Sequence, residues 1–198
     1  MVASTSQTNV SCNGASTGSA SVSISGGSGG YTYLWAPLGG TSATATNLVA
    51  GNYTCSITDA NGALLVKTFT ITQPTLLTAS TTQTNVLING NSTGSSTLTV
   101  SGGVTPYSYS WSPSGGTLAT ANGLAAGTYT VTATDANSCT ISKTITITQP
   151  AFALTATTSQ TNVLCNAGLT GAASVVVSGG VGPYNYSWSP SVGAGATL

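Results

Sequence analysis

Residues 107–111 read Tyr-Ser-Tyr-Ser-Trp, and this alternation of aromatic and polar side chains is typical of a half-buried β-strand. Equivalent stretches occur at residues 31–35 and 184–188. The three stretches end in tryptophans that are 76 and 77 residues apart: Trp35, Trp111 and Trp188. A period of this length exceeds that of a solenoid coil or a propeller blade, so we expect each repeat to be a small domain.

A second motif has the same period. Gln-Thr-Asn-Val occurs at residues 7–10, 83–86 and 160–163, and Gln-Pro closes the two complete repeats. The predicted domains are therefore the first repeat (residues 1–75), the second repeat (residues 76–151) and an incomplete third repeat (residues 152–198). The third repeat contains early strands only, so we expect either its own chain or another molecule to supply the missing strands.

Turn-forming glycine, proline and asparagine separate the predicted strands, and no helical spacing is found. Ala-Gly-x-Tyr at residues 50–53 and 126–129 resembles the tyrosine corner that leads into a late strand of an immunoglobulin domain. We predict an all-β chain of tandem immunoglobulin-like β-sandwiches, arranged as beads on a string. The aromatic residues expected in their cores are Tyr33, Trp35, Tyr53, Tyr109, Trp111, Tyr129, Tyr186 and Trp188.

Charged residues make up only 2 % of the chain, namely Lys67, Lys143, Asp59 and Asp135. Nucleic-acid binding needs clustered Lys or Arg, so we expect no nucleic-acid partner. Acid–base and nucleophilic catalysis need titratable groups in an arrangement that this sequence lacks, so we expect neither an enzyme nor a cofactor. No apolar run approaches the roughly 20 residues of a membrane span. Low charge favours association, so the expected partners are neighbouring repeats or copies of the chain.

A set of ordered motifs carries a family resemblance. Residues 101–113 read Ser-Gly-Gly-x-x-Pro-Tyr-x-Tyr-x-Trp-Ser-Pro, and Gly-Leu-Ala-Ala-Gly-Thr-Tyr-Thr-Val, Asp-Ala-Asn-x-Cys and Thr-Ile-Thr-Gln-Pro follow. The whole set resembles the SprB repeat of large surface adhesins in gliding bacteria. This resemblance implies type IX secretion, display on the cell surface, a role in adhesion and gliding motility, and no catalytic residues.

The function expected is that of a non-catalytic extracellular filament or adhesin stalk. The first residues lack the basic start and apolar core of a signal peptide, so the signal is expected to lie outside this sequence. The alternative is an array of carbohydrate-binding modules with surface polysaccharide as the partner, which requires exposed aromatic side chains.

The cysteines are Cys12, Cys55, Cys139 and Cys165. Repeats of the SprB type often carry one cysteine after the first strand and one after the Asp-Ala-Asn turn, but here Ala63 and Ile88 replace one of the two in each complete repeat. We prefer a Cys12–Cys55 disulfide, with Cys139 and Cys165 either bridging domains or free. The alternative is four buried thiols. No zinc site is expected, because no two cysteines are close in sequence and histidine is absent.

The lysines suggest a further hypothesis. Lys67 and Lys143 fall on the apolar face of the last strand by parity, and an aspartate, Asp59 or Asp135, stands eight residues before each. A buried lysine is costly unless it is paired. One interpretation is an intradomain isopeptide bond between lysine and asparagine, catalysed by the aspartate. The other is a lysine whose ammonium group reaches solvent, or a strand bulge near an edge.

Overall fold

The computed structural model describes residues 1–164 and 171–189, and within these residues the regular structure is entirely β. The first repeat contains β1 (Val2–Thr8), β2 (Gly18–Ser25), β3 (Thr32–Ala36), β4 (Thr44–Leu48), β5 (Gly51–Thr58) and β6 (Leu64–Ile71). The second contains β7 (Thr78–Thr84), β8 (Gly94–Ser101), β9 (Ser108–Ser112), β10 (Thr120–Leu124), β11 (Gly127–Thr134) and β12 (Thr140–Ile147). In the third, β13 (Thr155–Thr161) pairs with β14 (Ala172–Ser178).

The chain divides into two compact units, and the division runs through the second repeat. Unit 1 comprises Met1–Ser80, Thr99–Tyr109 and Thr132–Ser142. Unit 2 comprises Thr81–Leu98, Ser110–Val131 and Lys143–Leu198. Unit 1 thus contains the first repeat together with the turn between β11 and β12 of the second.

Two antiparallel sheets form the first repeat, with strand orders β1-β2-β4 and β3-β5-β6. In the seven-stranded immunoglobulin fold the first, second and fifth strands lie in one sheet, and the third, sixth and seventh lie in the other. The first repeat has the same arrangement when β4, β5 and β6 are matched with the fifth, sixth and seventh strands of that fold. The second repeat has the same orders, β7-β8-β10 and β9-β11-β12. The predicted all-β, immunoglobulin-like class is confirmed.

The core of the first repeat follows from the period-2 alternation of its strands. Along β5 the side chains of Tyr53, Cys55 and Ile57 are buried, while the residues between them are partly exposed. They pack with Trp35 of β3 and Phe69 of β6, whose ring centroids are 5.1 Å apart. Burying large apolar side chains is the main favourable term for so small a domain.

The indole N–H group of each buried tryptophan has a hydrogen-bond acceptor. Trp35 Nε1–H donates to the Ser42 carbonyl at 2.8 Å, and Trp111 Nε1–H donates to the Leu118 carbonyl at 2.9 Å. A buried indole without such an acceptor would be destabilising. The ring can therefore fill the core of either repeat.

The Ala-Gly-x-Tyr motif forms the tyrosine corner. Tyr53 and Tyr129 are buried, and their hydroxyl groups donate to the carbonyls of Val49 and Ala125, each at 3.1 Å. The bond fastens the start of a late strand to the chain that precedes it. The other aromatic residues predicted in the cores are half-buried: Tyr33, Tyr109, Tyr186 and Trp188.

Candidate functional site

The Gln-Thr-Asn-Val motif ties the first strand of a repeat to its last strand. In the first repeat, Gln7 Nε2 donates to the Thr70 carbonyl at 2.9 Å, and Asn9 Oδ1 accepts the Thr72 N–H at 3.0 Å. The valine that ends the motif, Val10, is buried. Gln83 and Asn85 make the equivalent bonds in the second repeat. The motif therefore closes one edge of each sandwich.

The loop that follows carries Cys12 and is fixed to the end of its own repeat. Asn13 Nδ2 donates to the Pro74 carbonyl at 3.0 Å, and Gly14 N–H donates to Gln73 Oε1 at 2.8 Å. Cys12 is thereby held where the chain leaves the first repeat. Asn89, Gly90, Gln149 and Pro150 repeat this arrangement in the second repeat.

The turn Asp135–Cys139 joins β11 to β12 and is organised by the Asp135 carboxylate. Its Oδ1 accepts the N–H groups of Asn137 and Cys139, both at 2.9 Å, and its Oδ2 accepts the Val104 N–H at 2.9 Å. The side chain is only 5 % exposed. Gly103, next to Val104, has a φ of +63°, and a Cβ there would lie 2.6 Å from Asp135 Oδ2. Glycine is required at this position because the carboxylate fills the space.

Cys139 of this turn forms a disulfide with Cys12, and all participating residues belong to unit 1. The Cα atoms are 5.7 Å apart, while 127 residues separate the two cysteines in sequence. Asn137 Nδ2 adds a hydrogen bond of 2.8 Å to the Ser11 carbonyl. The loop after β1 of the first repeat is therefore bonded to the β11–β12 turn of the second.

The predicted Cys12–Cys55 bond is wrong. Cys55 is fully buried in the middle of β5, whereas Cys12 lies in the loop after β1. Cys55 follows the corner tyrosine by two residues, as the second cysteine of an antibody domain does. That cysteine bonds to the second strand, but the buried residues of β2 are Gly18, Ala20 and Val22.

Cys55 is a free, buried thiol. Its burial raises the pKa of the thiol, and a backbone hydrogen bond with Leu34 opposes this effect only in part. Because the thiolate is the reactive form, Cys55 is an inert core residue in the folded protein. Cys165 lies outside the described residues.

The predicted isopeptide residues are not brought together in the first repeat. Lys67 is half-buried and pairs across the sheet with Cys55, four strand positions from Asp59. Four positions span about 13 Å of extended chain, more than the two side chains cover. In the second repeat Lys143 is exposed while Asp135 is buried. The isopeptide bond itself stays a prediction.

The two aspartates organise turns instead. Asp59 accepts the N–H groups of Ala63, Ser28 and Asn61, and these bonds lower the pKa of its carboxyl group. At Asp135 burial alone raises the pKa, but the three N–H groups outweigh it, so the pKa is again below its usual value. Both carboxylates are therefore engaged by backbone donors.

Sequence reasoning missed the side chains that hold the bridge in place. These are Asn13 and Gln73, which fix the Cys12 loop, and Asn137, which reaches the Ser11 carbonyl. A signal was present, because Asn-Gly and Gln-Pro occur at equivalent positions in both complete repeats.

Unit 2 contains a cavity of about 520 Å³ beside the equivalent loop of the second repeat. Leu87 and Ile88 line one side, and Leu154, Val181 and Tyr184 line another. Ile88 occupies the sequence position of Cys12, and Val181 that of Val104. In unit 1 the turn Asp135–Cys139 contacts the corresponding residues, because Cys139 is bonded to Cys12 and Asp135 accepts the Val104 N–H. Among the described residues there is no cluster of His, Cys, Asp and Glu that could hold a metal ion, and no helix that could span a membrane.

Comparison with known proteins gives a family and several distant solved structures. The family model described as SprB repeat matches residues 4–40, 80–116 and 157–193, together more than half of the chain. No curated protein matches this chain. The solved structure of the amphioxus IgVJ-C2 molecule shares 16 % identity, over 73 % of this chain and 96 % of that chain, with a TM-score of 0.31. So low a score carries no argument, and the fold assignment rests on strand order.

Proposed function

The chain belongs to the SprB repeat family, and we propose that it is a stretch of an extracellular adhesin in which tandem sandwiches form a non-catalytic stalk or filament. SprB repeats belong to surface-exposed proteins. The observation that carries the proposal is the threefold family match along one chain. Type IX secretion and a part in gliding motility belong to the same proposal.

The chemistry of the described residues supports this role. The Cys12–Cys139 disulfide is the kind of bond that forms and persists outside the reducing cytoplasm. Both aspartates are bonded to backbone N–H groups, which leaves them unsuited to proton transfer. Few charges remain on the surface, and this favours contact with neighbouring repeats or with copies of the chain.

The carbohydrate-binding alternative has no support. A sugar-binding platform needs exposed aromatic faces, but Trp35 and Trp111 are buried and bonded to backbone carbonyls. Among the described tyrosines Tyr184 is the most exposed, and its hydroxyl group, like that of Tyr31, donates to a backbone carbonyl.

Labelling of intact cells tests the proposal. An antibody raised against the folded chain is applied to living, unpermeabilised cells that produce the parent protein, with a cytoplasmic protein as the control. We expect strong labelling of intact cells and its loss after mild protease treatment of the surface. Labelling that requires permeabilisation would overturn surface display, and normal adhesion and gliding after deletion of the repeats would overturn the adhesive role.

A further inference from the structure

The disulfide between Cys12 and Cys139 changes the covalent path through the chain. A pull on the two ends is transmitted along residues 1–12, across the sulfur–sulfur bond, and along residues 139–198. The residues between the two cysteines lie off this path. We propose that the bridge is a mechanical shunt, which lets the chain transmit tension without extending the strands of its first two repeats that lie between the two cysteines.

The location of the bridge determines which strands remain exposed to tension. Strands β2 to β11 fall inside the closed loop. Among them are β5 and β11, which contribute buried side chains to the cores of the two repeats. In the first two repeats only β1 and β12 lie outside it. Both are edge strands, β1 beside β2 and β12 beside β11. A pull can strip these edges, but it cannot extend the strands enclosed by the loop.

The length withheld from extension is large. The cysteines are 127 residues apart in sequence and 5.7 Å apart in space. At about 3.4 Å per extended residue, the closed loop hides roughly 430 Å of chain. An unbridged chain would release this length as its sandwiches open, and a stalk built from such repeats would stretch under drag.

The surrounding hydrogen bonds position the bridge independently of the sulfur atoms. Asn13 and Gly14 fix the Cys12 loop to Pro74 and Gln73 at the exit from the first repeat. Asn137 reaches the Ser11 carbonyl, and Asp135 shapes the turn that presents Cys139. These contacts hold both cysteines in place, so the bond closes on a prearranged geometry.

The shunt rests on the proposed stalk function for its biological role, but not for its physical effect. Reduction by an external dithiol converts the bridge to two thiols and the dithiol to a cyclic disulfide. The hidden length then becomes available to tension. The shunt is therefore redox-dependent.

Single-molecule force spectroscopy tests the shunt on the full chain, held by its two ends. Three proteins are compared: oxidised wild type, Cys139→Ala and Cys55→Val. Each replacement copies the equivalent residue of the other repeat, Ala63 or Val131. We expect the total contour length of wild type and Cys55→Val to be shorter than that of Cys139→Ala by roughly 430 Å. Adding dithiothreitol to wild type during the pull should restore the missing length, which covers the case in which Cys139→Ala does not fold.

Intact mass first shows that the wild-type protein carries the bridge. Equal contour lengths for this bridged protein and for Cys139→Ala would then overturn the shunt. That outcome would leave surface display untouched. Conversely, a failure of surface labelling would remove the stalk function while the length difference persisted.

Discussion

Ile57 and Ala133 occupy equivalent positions on β5 and β11, and both are fully buried. Similar exchanges occur at other positions where both repeats are buried: Val22 and Leu98, Cys55 and Val131, Phe69 and Ile145. At a further position Ala20 is matched by Ser96, whose hydroxyl donates to the Thr82 carbonyl at 2.9 Å. The two repeats thus keep one burial pattern with different side chains, because a core tolerates exchange when pattern and volume are preserved.

The repeats differ more where they are connected than where they are packed. Cys12 and Cys139 correspond to Ile88 and Ala63, so each complete repeat carries half of a bridge. The two turns differ as well, since Ser138 has a φ of 66° where Gly62 has a φ of 81°. The two repeats therefore share one fold, whereas the cysteines that connect them occupy different positions in the two repeats.

The largest effect is expected from removing the core tryptophans. Trp35→Ala and Trp111→Ala should each destabilise their own repeat by about 3–5 kcal/mol. Trp35→Ala should cost about 1 kcal/mol more than Trp111→Ala, because the Trp35 ring packs against Phe69, whereas Ile145 occupies the equivalent position in the second repeat. Hydrogen exchange with mass spectrometry reports each repeat separately. Phe69→Ile, which copies Ile145, should abolish the difference, and an equal or larger cost at Trp111 in the wild-type background would refute the explanation.

Breaking the bridge should have the next largest effect. Cys139→Ala should lower the free energy of unfolding of the bridged segment by about 2–5 kcal/mol, because a long closed loop no longer restricts the unfolded chain. Calorimetry should show a lower melting temperature for Cys139→Ala and a nearly unchanged one for Cys55→Val. A large loss in Cys55→Val instead would mean that Cys55 has a role beyond filling the core.

Acid should weaken both repeats through their aspartates. The folded-state pKa of Asp59 and Asp135 is lowered, so each carboxylate stabilises the fold above its unfolded-state pKa of about 3.9. That stability should be lost as the pH falls from about 4 through the folded-state pKa. Urea unfolding between pH 7 and pH 2 measures it. In the double variant Asp59→Asn/Asp135→Asn the free energy of unfolding should change little with pH, since the chain has no other acidic side chain. A pH dependence as steep as that of the wild type would contradict this assignment.

The smallest effect concerns the turn. Ser138→Gly should stabilise the second repeat by about 1 kcal/mol, because glycine adopts a positive φ without a Cβ penalty. Gly62→Ser should destabilise the first repeat by a similar amount. Thermal melts of the two variants should shift in opposite directions, and shifts of the same sign would show that the φ values do not decide turn stability.

The fold could be predicted from sequence because its signals are local. Alternation in Tyr-Ser-Tyr-Ser-Trp predicted β9, and Ala-Gly-x-Tyr predicted the corner at Tyr129. The disulfide could not be predicted, since it depends on which loop and which turn approach each other across 127 residues. Cys55 points into the core, and an inward cysteine needs a second cysteine on the facing sheet to form a disulfide within the repeat. Ala20 and Val22 hold that place.

The position of Cys55 between the bridging cysteines has a consequence for biosynthesis. Cys55 is about 40 residues from Cys12, whereas Cys139 is 127 residues away, so in an unfolded chain the wrong loop closes about fivefold more readily. Cys55 escapes this competition once the first sandwich has folded around it. The order of events during folding therefore matters: the Cys12–Cys139 bond is favoured when the first repeat folds around Cys55 before oxidation and the second repeat presents its turn before Cys12 is bonded.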